Sequence, residues 1–144
     1  MKWANKRIQE YRDGQSATFL EKMTLGVAHP VALLLAFAGI VMLFYGLWVH
    51  AWVGIGAGVI TYLAGVLHGQ FIGWPDRQIE LYRQGQKATW LELLVLEHAH
   101  PVHCILALIG IVFTLYGLWM QSWLWISIGI MLNIAGHVFT WLSA

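Results

Sequence analysis

The first charge-free stretch of the chain, residues 23–75, reads MTLGVAHPVALLLAFAGIVMLFYGLWVHAWVGIGAGVITYLAGVLHGQFIGWP. A second covers residues 98–144, so that all eight Lys and Arg and all seven Asp and Glu residues lie within residues 2–22 and 76–97. A single helix made of the first stretch would be about 80 Å long, whereas the hydrocarbon core of a bilayer is about 30 Å thick. Each stretch therefore predicts a hairpin of two membrane-spanning helices.

The composition of the chain agrees with an integral membrane protein. Of its 144 residues, 59% are apolar and 10% are charged, whereas roughly 25% are charged in a typical soluble domain. This composition excludes an ordinary soluble globule, and the formal net charge of +1 gives no indication of a nucleic-acid partner. We expect the protein in a bacterial inner membrane or in the endoplasmic reticulum, in contact with membrane lipid.

The chain contains an internal duplication. A shift of 71 residues aligns residues 3–73 with residues 74–144 without a gap and pairs identical residues at 29 of 71 positions. Such a repeat indicates two copies of one structural unit. Because each copy crosses the membrane an even number of times, both enter it in the same direction and are related by a pseudo-twofold axis along the membrane normal. We expect a first repeat, residues 1–73, with spans at about 27–48 and 51–73, and a second repeat, residues 74–144, with spans at about 99–120 and 122–144.

The charged segments of both repeats lie on one side of the membrane, because the connections inside the hairpins carry no charge. The positive-inside rule makes this side cytoplasmic, together with both termini. Polar residues in these segments recur every three or four positions, which is typical of an amphipathic helix in the membrane interface. The predicted fold is an all-α integral membrane protein with four transmembrane helices, arranged as two tandem parallel helical hairpins, each preceded by an interfacial amphipathic helix on the cytoplasmic side.

Two local signals mark the starts of helices. Both repeats contain the pattern Thr-x-x-Glu, at residues 18–21 and 89–92, which matches the capping box that satisfies free N–H groups at a helix start. Proline suits the first turn of a helix and disfavours the α conformation in the residue before it. The His-Pro pairs at residues 29–30 and 100–101 therefore indicate either a kink or the start of a membrane span.

Seven histidines are unusual in so apolar a chain, since polar side chains at membrane depth cost free energy unless they are paired, liganded or hydrated. The hairpin turns opposite the charged segments carry a belt of tryptophans, which is typical of a membrane interface: Trp48, Trp52, Trp119, Trp123 and Trp125. Counting along the helices from this belt places three of the histidines at one depth, about 21 to 24 Å away: His68, His103 and His137. Three more lie about one turn nearer the cytoplasm: His29, His98 and His100. This layer predicts a metal or cofactor site, and the alternative is a set of hydrogen-bonded or interfacial histidines.

The second repeat carries more polar residues in this layer than the first. It has Glu97, His98, His103, Asn133 and His137 where the first has Gly26, Val27, Ala32, Tyr62 and Val66. Two or three histidines with or without one acidic ligand form a set that non-haem iron favours. The metal-ligand candidates are His98, His100, His103, His137 and Glu97, with His29, His68 and Asn133 as secondary candidates. We expect Asn133, one turn from His137, to hold an imidazole in one tautomer.

Two segments of the second repeat resemble the 2-hydroxy fatty acid dioxygenase family of small membrane proteins: His98-Ala-His100-Pro101 followed by Gly110-Ile111, and Ala135-Gly136-His137. That family is typified by an endoplasmic-reticulum enzyme of phytosphingosine degradation. The resemblance implies an Fe(II)-dependent oxidoreductase of lipid metabolism that uses dioxygen to shorten a 2-hydroxy fatty acid by one carbon, with His98, His100 and His137 as iron ligands. In this chain Ala107 stands where the family has a further histidine, and Thr140 and Trp141 follow the Gly-His pair where the family has an acidic residue.

Two classes of function fit these features of the sequence. The first is a membrane oxygenase, in which the chain of a fatty-acid-like substrate lies in the bundle and Arg12 or Arg83 holds its headgroup. Anchoring in the membrane interface is the simpler role for these two arginines. In the second, the protein is a non-catalytic accessory subunit of a larger membrane complex, and its histidines bind haem or a chlorophyll-type pigment or only form hydrogen bonds. The partners expected for either class are a larger membrane complex or further copies of the chain in a homo-oligomer. The equivalence of His29 and His100 across the pseudo-twofold axis favours the second class. Transport is disfavoured, because the spans carry no charged residue.

Overall fold

Eight helices form the part of the chain that the computed structural model describes, residues 1–143. In chain order they are α1 (Lys2–Arg12), α2 (Phe19–Val27), α3 (Pro30–Trp48), α4 (Trp52–Phe71), α5 (Trp74–Arg83), α6 (Trp90–Glu97), α7 (Pro101–Trp119) and α8 (Trp123–Leu142). Helices α3, α4, α7 and α8 are long and apolar enough to span a membrane, and no strand occurs among residues 1–143. The predicted all-α fold with two tandem helical hairpins is confirmed. Ala144, the last residue of the predicted fourth span, lies outside the described residues.

Both His-Pro pairs begin a membrane span. The backbone of His29 and of His100 is extended, with ψ of 133° and 129°, and helices α3 and α7 begin at the prolines that follow. Because α2 and α6 have already ended, the residues in between form short links, and the alternative of a kinked helix is excluded. His98 consequently lies in the link between α6 and α7, as the C-cap residue of α6.

Each hairpin holds its two spans in backbone contact. A Cβ added at Gly65 of α4 would lie 2.6 Å from the backbone nitrogen of Ala36. A Cβ added at Gly117 of α7 would lie 2.6 Å from the backbone nitrogen of Ile126. Small residues at such positions let membrane helices approach closely, which replaces the hydrophobic drive that is absent inside lipid. Each hairpin is therefore a closely packed pair of helices that supports the site described below.

The four short helices pack together at one end of the bundle, called here the charged end. Helix α1 of the first repeat packs on α6 and α8 of the second, and α5 of the second packs on α2 and α4 of the first. The Trp3 ring meets the His100 ring edge-on with centroids 5.2 Å apart, and the Trp74 ring meets the His29 ring in the same way at 4.9 Å. Each repeat thus covers the other. The buried apolar core at this end consists of Ala4, Ile8, Tyr11, Leu25, Ile79, Tyr82, Leu96 and Ala99.

The turns at the opposite end, called here the far end, are joined by a reciprocal pair of hydrogen bonds. The His50 Nε2 atom lies 2.9 Å from the carbonyl oxygen of Trp119, and the equivalent Gln121 Nε2 donates to the carbonyl oxygen of Trp48 at 2.7 Å. His50 and Gln121 also share a positive φ, 56° and 49°. Since the 71-residue shift exchanges both partners, these contacts agree with the pseudo-twofold relation between the repeats.

A buried ion pair at the charged end makes its stability depend on pH. Arg7 Nε and Nη2 donate to the Glu21 carboxylate at 2.6 and 3.0 Å, and the Thr18 N–H donates to it at 2.7 Å. Burial alone raises the pKa of Glu21, but these hydrogen bonds and the charge of Arg7 outweigh burial, so that the pKa lies below its ordinary value of 4.5. A carboxyl with a depressed folded-state pKa contributes stability above its unfolded pKa and loses that contribution as the pH falls through the folded pKa.

We therefore expect the free energy of unfolding to decrease as the pH falls below 4.5. In Glu21→Gln the decrease should be smaller, because an amide does not take up the proton. Thermal unfolding of the two detergent-purified proteins is followed by circular dichroism over a series of acidic pH values. The slope of the unfolding midpoint against pH is then compared between the wild type and the variant. Glu10→Gln is the matched control, since Glu10 also contacts Arg7 but is more exposed than Glu21. Equal slopes in the wild type and Glu21→Gln would contradict this assignment.

Candidate metal centre

Three histidines of the second repeat meet at one point near the charged end. His98 comes from the link before α7, His103 from the first turn of α7, and His137 from the last part of α8. Their ring centroids are 4.2 to 4.9 Å apart, and one nitrogen from each lies within 4.8 Å of the other two. Metal to imidazole bonds are about 2.0 to 2.1 Å long. Nitrogens at the corners of such a triangle are about 2.8 Å from its centre, so a shift of about 0.7 Å each brings them around one ion.

The central ring of this cluster, His103, has no hydrogen-bond partner. Its side chain is fully buried, and among residues 1–143 neither Nδ1 nor Nε2 finds a donor or acceptor. Buried polar groups are nearly always hydrogen-bonded, because an unpaired one costs the free energy of its lost hydration. A metal ion bound by one of the two His103 nitrogens would give that nitrogen a partner. The residues therefore fit a metal ion.

The other two rings are held with one nitrogen pointing away from the cluster. His137 Nδ1 lies 2.9 Å from Glu97 Oε2, and His98 Nδ1 lies 3.2 Å from the carbonyl oxygen of Leu94. In each case the Nδ1–H donates to the oxygen, which leaves the lone pair on Nε2 for a ligand. Burial, and then repulsion by His137, lowers the pKa of His98. The neutral imidazole that binds metals is thereby the favoured form of His98.

Glu97 lies behind His137 and is not one of the three clustered ligands. Its side chain is fully buried. Its Oε2 accepts hydrogen bonds from His137 Nδ1–H and from Trp141 Nε1–H, both at 2.9 Å, and its Oε1 lies 3.0 Å from the Met1 amino nitrogen. A carboxylate in this position would orient the ring of a metal-ligating histidine and raise its basicity. Trp141 was absent from the sequence candidates, although its position one turn after His137 on α8 is a signal that could have identified it.

Two further candidates from the sequence take structural positions. His100 Nδ1 accepts the Val102 N–H at 3.2 Å and so caps α7, while its ring packs against Trp3. Asn133 Nδ2 donates to the carbonyl oxygen of Gly129 at 2.9 Å. The tautomer of His137, which the sequence assigned to Asn133, is held by Glu97 in the structure. His100 and Asn133 are thus not brought into the cluster.

The histidines of the first repeat form a separate pair. The rings of His29 and His68 have centroids 5.3 Å apart, and His29 also contacts Trp74. The His29 Nδ1 is buried without a hydrogen-bond partner among the described residues. His68 was expected at the depth of His103 and His137, but it lies in the other hairpin and is not part of the three-histidine cluster.

The two repeats differ at the point where the short helix meets the second span. In the first repeat Gly26 of α2 contacts Gly69 and Gln70 of α4 directly, and a Cβ at either glycine would collide with its neighbour. The equivalent of Gly26 is Glu97, and the equivalent of Gln70 is Trp141, so a hydrogen bond between side chains replaces backbone contact. Helices α6 and α8 approach each other less closely than α2 and α4 do. This separation makes room for the three imidazoles.

Both interfacial arginines bridge the repeats. Arg12 Nη2 donates to the carbonyl oxygen of Gln86 at 3.1 Å, and the equivalent Arg83 Nη2 donates to that of Gln15 at 3.4 Å. Neither side chain lines the groove described next. The proposed headgroup contact of Arg12 and Arg83 therefore stays a prediction.

An apolar groove of about 840 Å³ leads away from the cluster. His137 lies at one end of it, and Trp48 and Trp123 lie at the far end. The distance from Trp123 to His137 along α8 is about 21 Å. The groove joins α3 of the first repeat to α7 and α8 of the second, and its lining residues are Phe44, Tyr45, Trp48, Ile111, Thr114, Leu115, Leu118, Trp123, Ile126, Ile130, Asn133, Ile134 and His137.

Comparison of the chain with protein-family models, with curated proteins and with solved structures finds no match.

Proposed function

We propose that this protein is a membrane-embedded metalloenzyme that oxidises a 2-hydroxy fatty acid or a similar lipid with dioxygen. The observation that carries the proposal is the cluster of three imidazoles, with a fully buried and unpaired His103, at the end of an apolar groove. His98, His103 and His137 would hold one divalent transition-metal ion, iron(II) being the ion that the sequence resemblance implies.

The donor set supports a transition metal. Neutral imidazoles suit zinc, copper, iron and nickel, whereas magnesium and calcium prefer oxygen ligands. Three protein ligands leave coordination positions open for a substrate. When bound in such a site, iron(II) supplies the activation of dioxygen. The ring centroids, 4.2 to 4.9 Å apart, suit a single ion, and the binding of haem or a pigment by other histidines stays a prediction.

The groove supports a lipid-like substrate. A fatty acyl chain in the groove would be covered by apolar side chains from α3, α7 and α8, and its polar end would lie at His137. Because a lipid tail is already in an apolar phase, the groove would bind the acyl chain by packing contacts and not by transfer from water. The same side chains would exclude water from the acyl chain. For a 2-hydroxy acid, one acid and one dioxygen would give an acid one carbon shorter, carbon dioxide and water.

Metal analysis combined with turnover tests the proposal. The detergent-purified protein is loaded anaerobically with iron(II), desalted, and analysed by mass spectrometry for metal content. Dioxygen uptake and the acid products are then measured with 2-hydroxypalmitate, with palmitate as the unhydroxylated control. We expect about one iron per chain, and a product one carbon shorter that appears with the hydroxy acid alone. Metal binding without turnover of either acid would favour a non-catalytic metal protein, and the absence of bound metal would overturn the proposal.

A further inference from the structure

Two pairs of tryptophan rings join helices of different repeats at the far end. The first pair consists of Trp48 of α3 and Trp123 of α8, whose ring centroids are 5.4 Å apart at an interplanar angle of 49°. The second pair consists of Trp119 of α7 and Trp52 of α4, with centroids 5.4 Å apart at 51°. The 71-residue shift exchanges the two pairs, so they are equivalent positions of the duplicated fold.

The two pairs differ in what lies along the spans from them. Both rings of the first pair line the apolar groove that ends at His137, whereas neither ring of the second pair is among its lining residues. On α4, Val66 stands where α8 has His137. The second pair therefore repeats the geometry of the first without a histidine of the cluster at the other end.

The first pair closes the far end of the groove. Trp48 lies on the α3 wall and Trp123 on the α8 wall, and their contact brings the two walls together. The backbone of Trp48 is also held by Gln121, whose Nε2 donates to the Trp48 carbonyl oxygen at 2.7 Å. A chain that runs along the groove from His137 therefore ends against two indole rings.

The distance between the two ends determines the length of chain that fits. Along α8, Trp123 is about 21 Å from His137. An extended carbon chain advances about 1.2 Å per bond, as an extended backbone does. The groove consequently takes roughly 17 bonds, or an acid of about 16 to 18 carbons. A longer chain would overpack against the rings, which is unfavourable.

We propose that the Trp48 and Trp123 rings set the upper limit of acyl-chain length, and that the ligand of the groove is an acid of about 16 to 18 carbons. This inference rests on the proposed function for the class of ligand and for the placement of its polar end at His137. It does not require that the ligand is oxidised. Trp48 and Trp123 determine specificity and lie at the end of the groove away from the metal cluster.

Binding of acids of graded length tests the limit without turnover. The detergent-purified protein is incubated anaerobically with an equimolar mixture of saturated 2-hydroxy acids of about 12 to 24 carbons, which brackets the length of the groove. Native mass spectrometry, which strips the detergent from the protein, then identifies the acids that remain bound. We expect acids of about 22 carbons or more to be retained at least about 10-fold less than those of about 16.

Variants assign the limit to the first pair. Trp123→Leu opens the end of the groove, so the longest acids should be retained as well as those of about 16 carbons. Trp48→Leu should act in the same way, and it keeps the hydrogen bond from Gln121 because the acceptor is a backbone carbonyl. Trp52→Leu is the matched control. Trp52 is equivalent to Trp123, also begins a span, and is 71% exposed against 70%, but its replacement should leave the limit unchanged.

The outcomes separate this proposal from the enzymatic one. Equal retention of all chain lengths by the wild type, or retention of none, would overturn the proposal. A shift of the limit in Trp52→Leu as large as that in Trp123→Leu would overturn it as well. A limit that moves in Trp123→Leu and Trp48→Leu alone would support the proposal even if the iron-loaded protein oxidised no acid, in which case only the enzymatic function would fail.

Discussion

Replacement of His103 by alanine is expected to abolish metal binding, with an affinity at least about 100-fold lower than that of the wild type. His103 is the only one of the three clustered imidazoles with both nitrogens unpaired, and it is fully buried. Loss of a hydrogen-bonding partner of a ligand already costs 10 to 100-fold in affinity, and loss of the ligand itself costs more. Equilibrium dialysis against iron(II) or zinc, with metal analysis of the retained protein, measures the effect.

The matched control for this prediction is His100→Ala. His100 is three residues away and belongs to the ligand set that the family resemblance implies, but in the structure it caps α7 and contacts Trp3. We expect His100→Ala to retain about one metal ion per chain while losing some helix stability. If His100→Ala lost the metal and His103→Ala retained it, the ligand set read from the structure would be wrong. Circular dichroism of each variant checks that the bundle is folded.

Replacement of Glu97 by glutamine is expected to weaken metal binding by roughly 10 to 100-fold. The carboxylate accepts the His137 Nδ1–H, which fixes the tautomer that presents Nε2 and makes the ring a stronger donor. Glutamine keeps the size of the side chain and can still accept one hydrogen bond, but it carries no negative charge. Competitive titration with a chelator of known affinity gives the change in metal Kd.

Trp141→Phe separates the role of the charge from that of the local packing. This variant removes one of the two hydrogen bonds to Glu97 Oε2 and keeps the carboxylate and an aromatic ring. Its metal affinity should fall by less than that of Glu97→Gln. An unchanged Kd in Glu97→Gln would show that Glu97 serves the fold alone and does not tune His137. Glu97→Asp is informative as well, since it keeps the charge but draws it back from the ring.

The sequence predicts the parts of the fold that depend on local composition. Residues 23–75 are apolar throughout and too long for one crossing, so a hairpin follows from helix geometry and bilayer thickness alone. The pattern Thr-x-x-Glu also predicts the starts of α2 and α6, because a capping box acts within one helical turn. The choice between a kink and a new helix at His29 and His100 was open, since proline is compatible with both.

The candidate site was predicted in part. The depth of His103 and His137 could be counted along single helices, and they do meet. The same count placed His68 at the depth of His103 and His137. Depth along a helix does not show which side chains of other helices a histidine meets. Glu97 was predicted as a metal ligand, whereas in the structure it lies outside the three-histidine cluster and accepts the N–H of His137, a contact that depends on how α6 and α8 pack.

The amino-acid sequence by itself determined the number of spans, their pairing into hairpins, the duplication and the layer of polar residues. Hydropathy and helical rise can be evaluated along the chain without knowing which helices pack together. Only the tertiary structure decided that His98, His103 and His137 form one cluster while His100 caps a helix and His68 pairs with His29. The reason is that these contacts join residues far apart in the chain, such as Glu97 and Trp141, which meet only after the helices have packed.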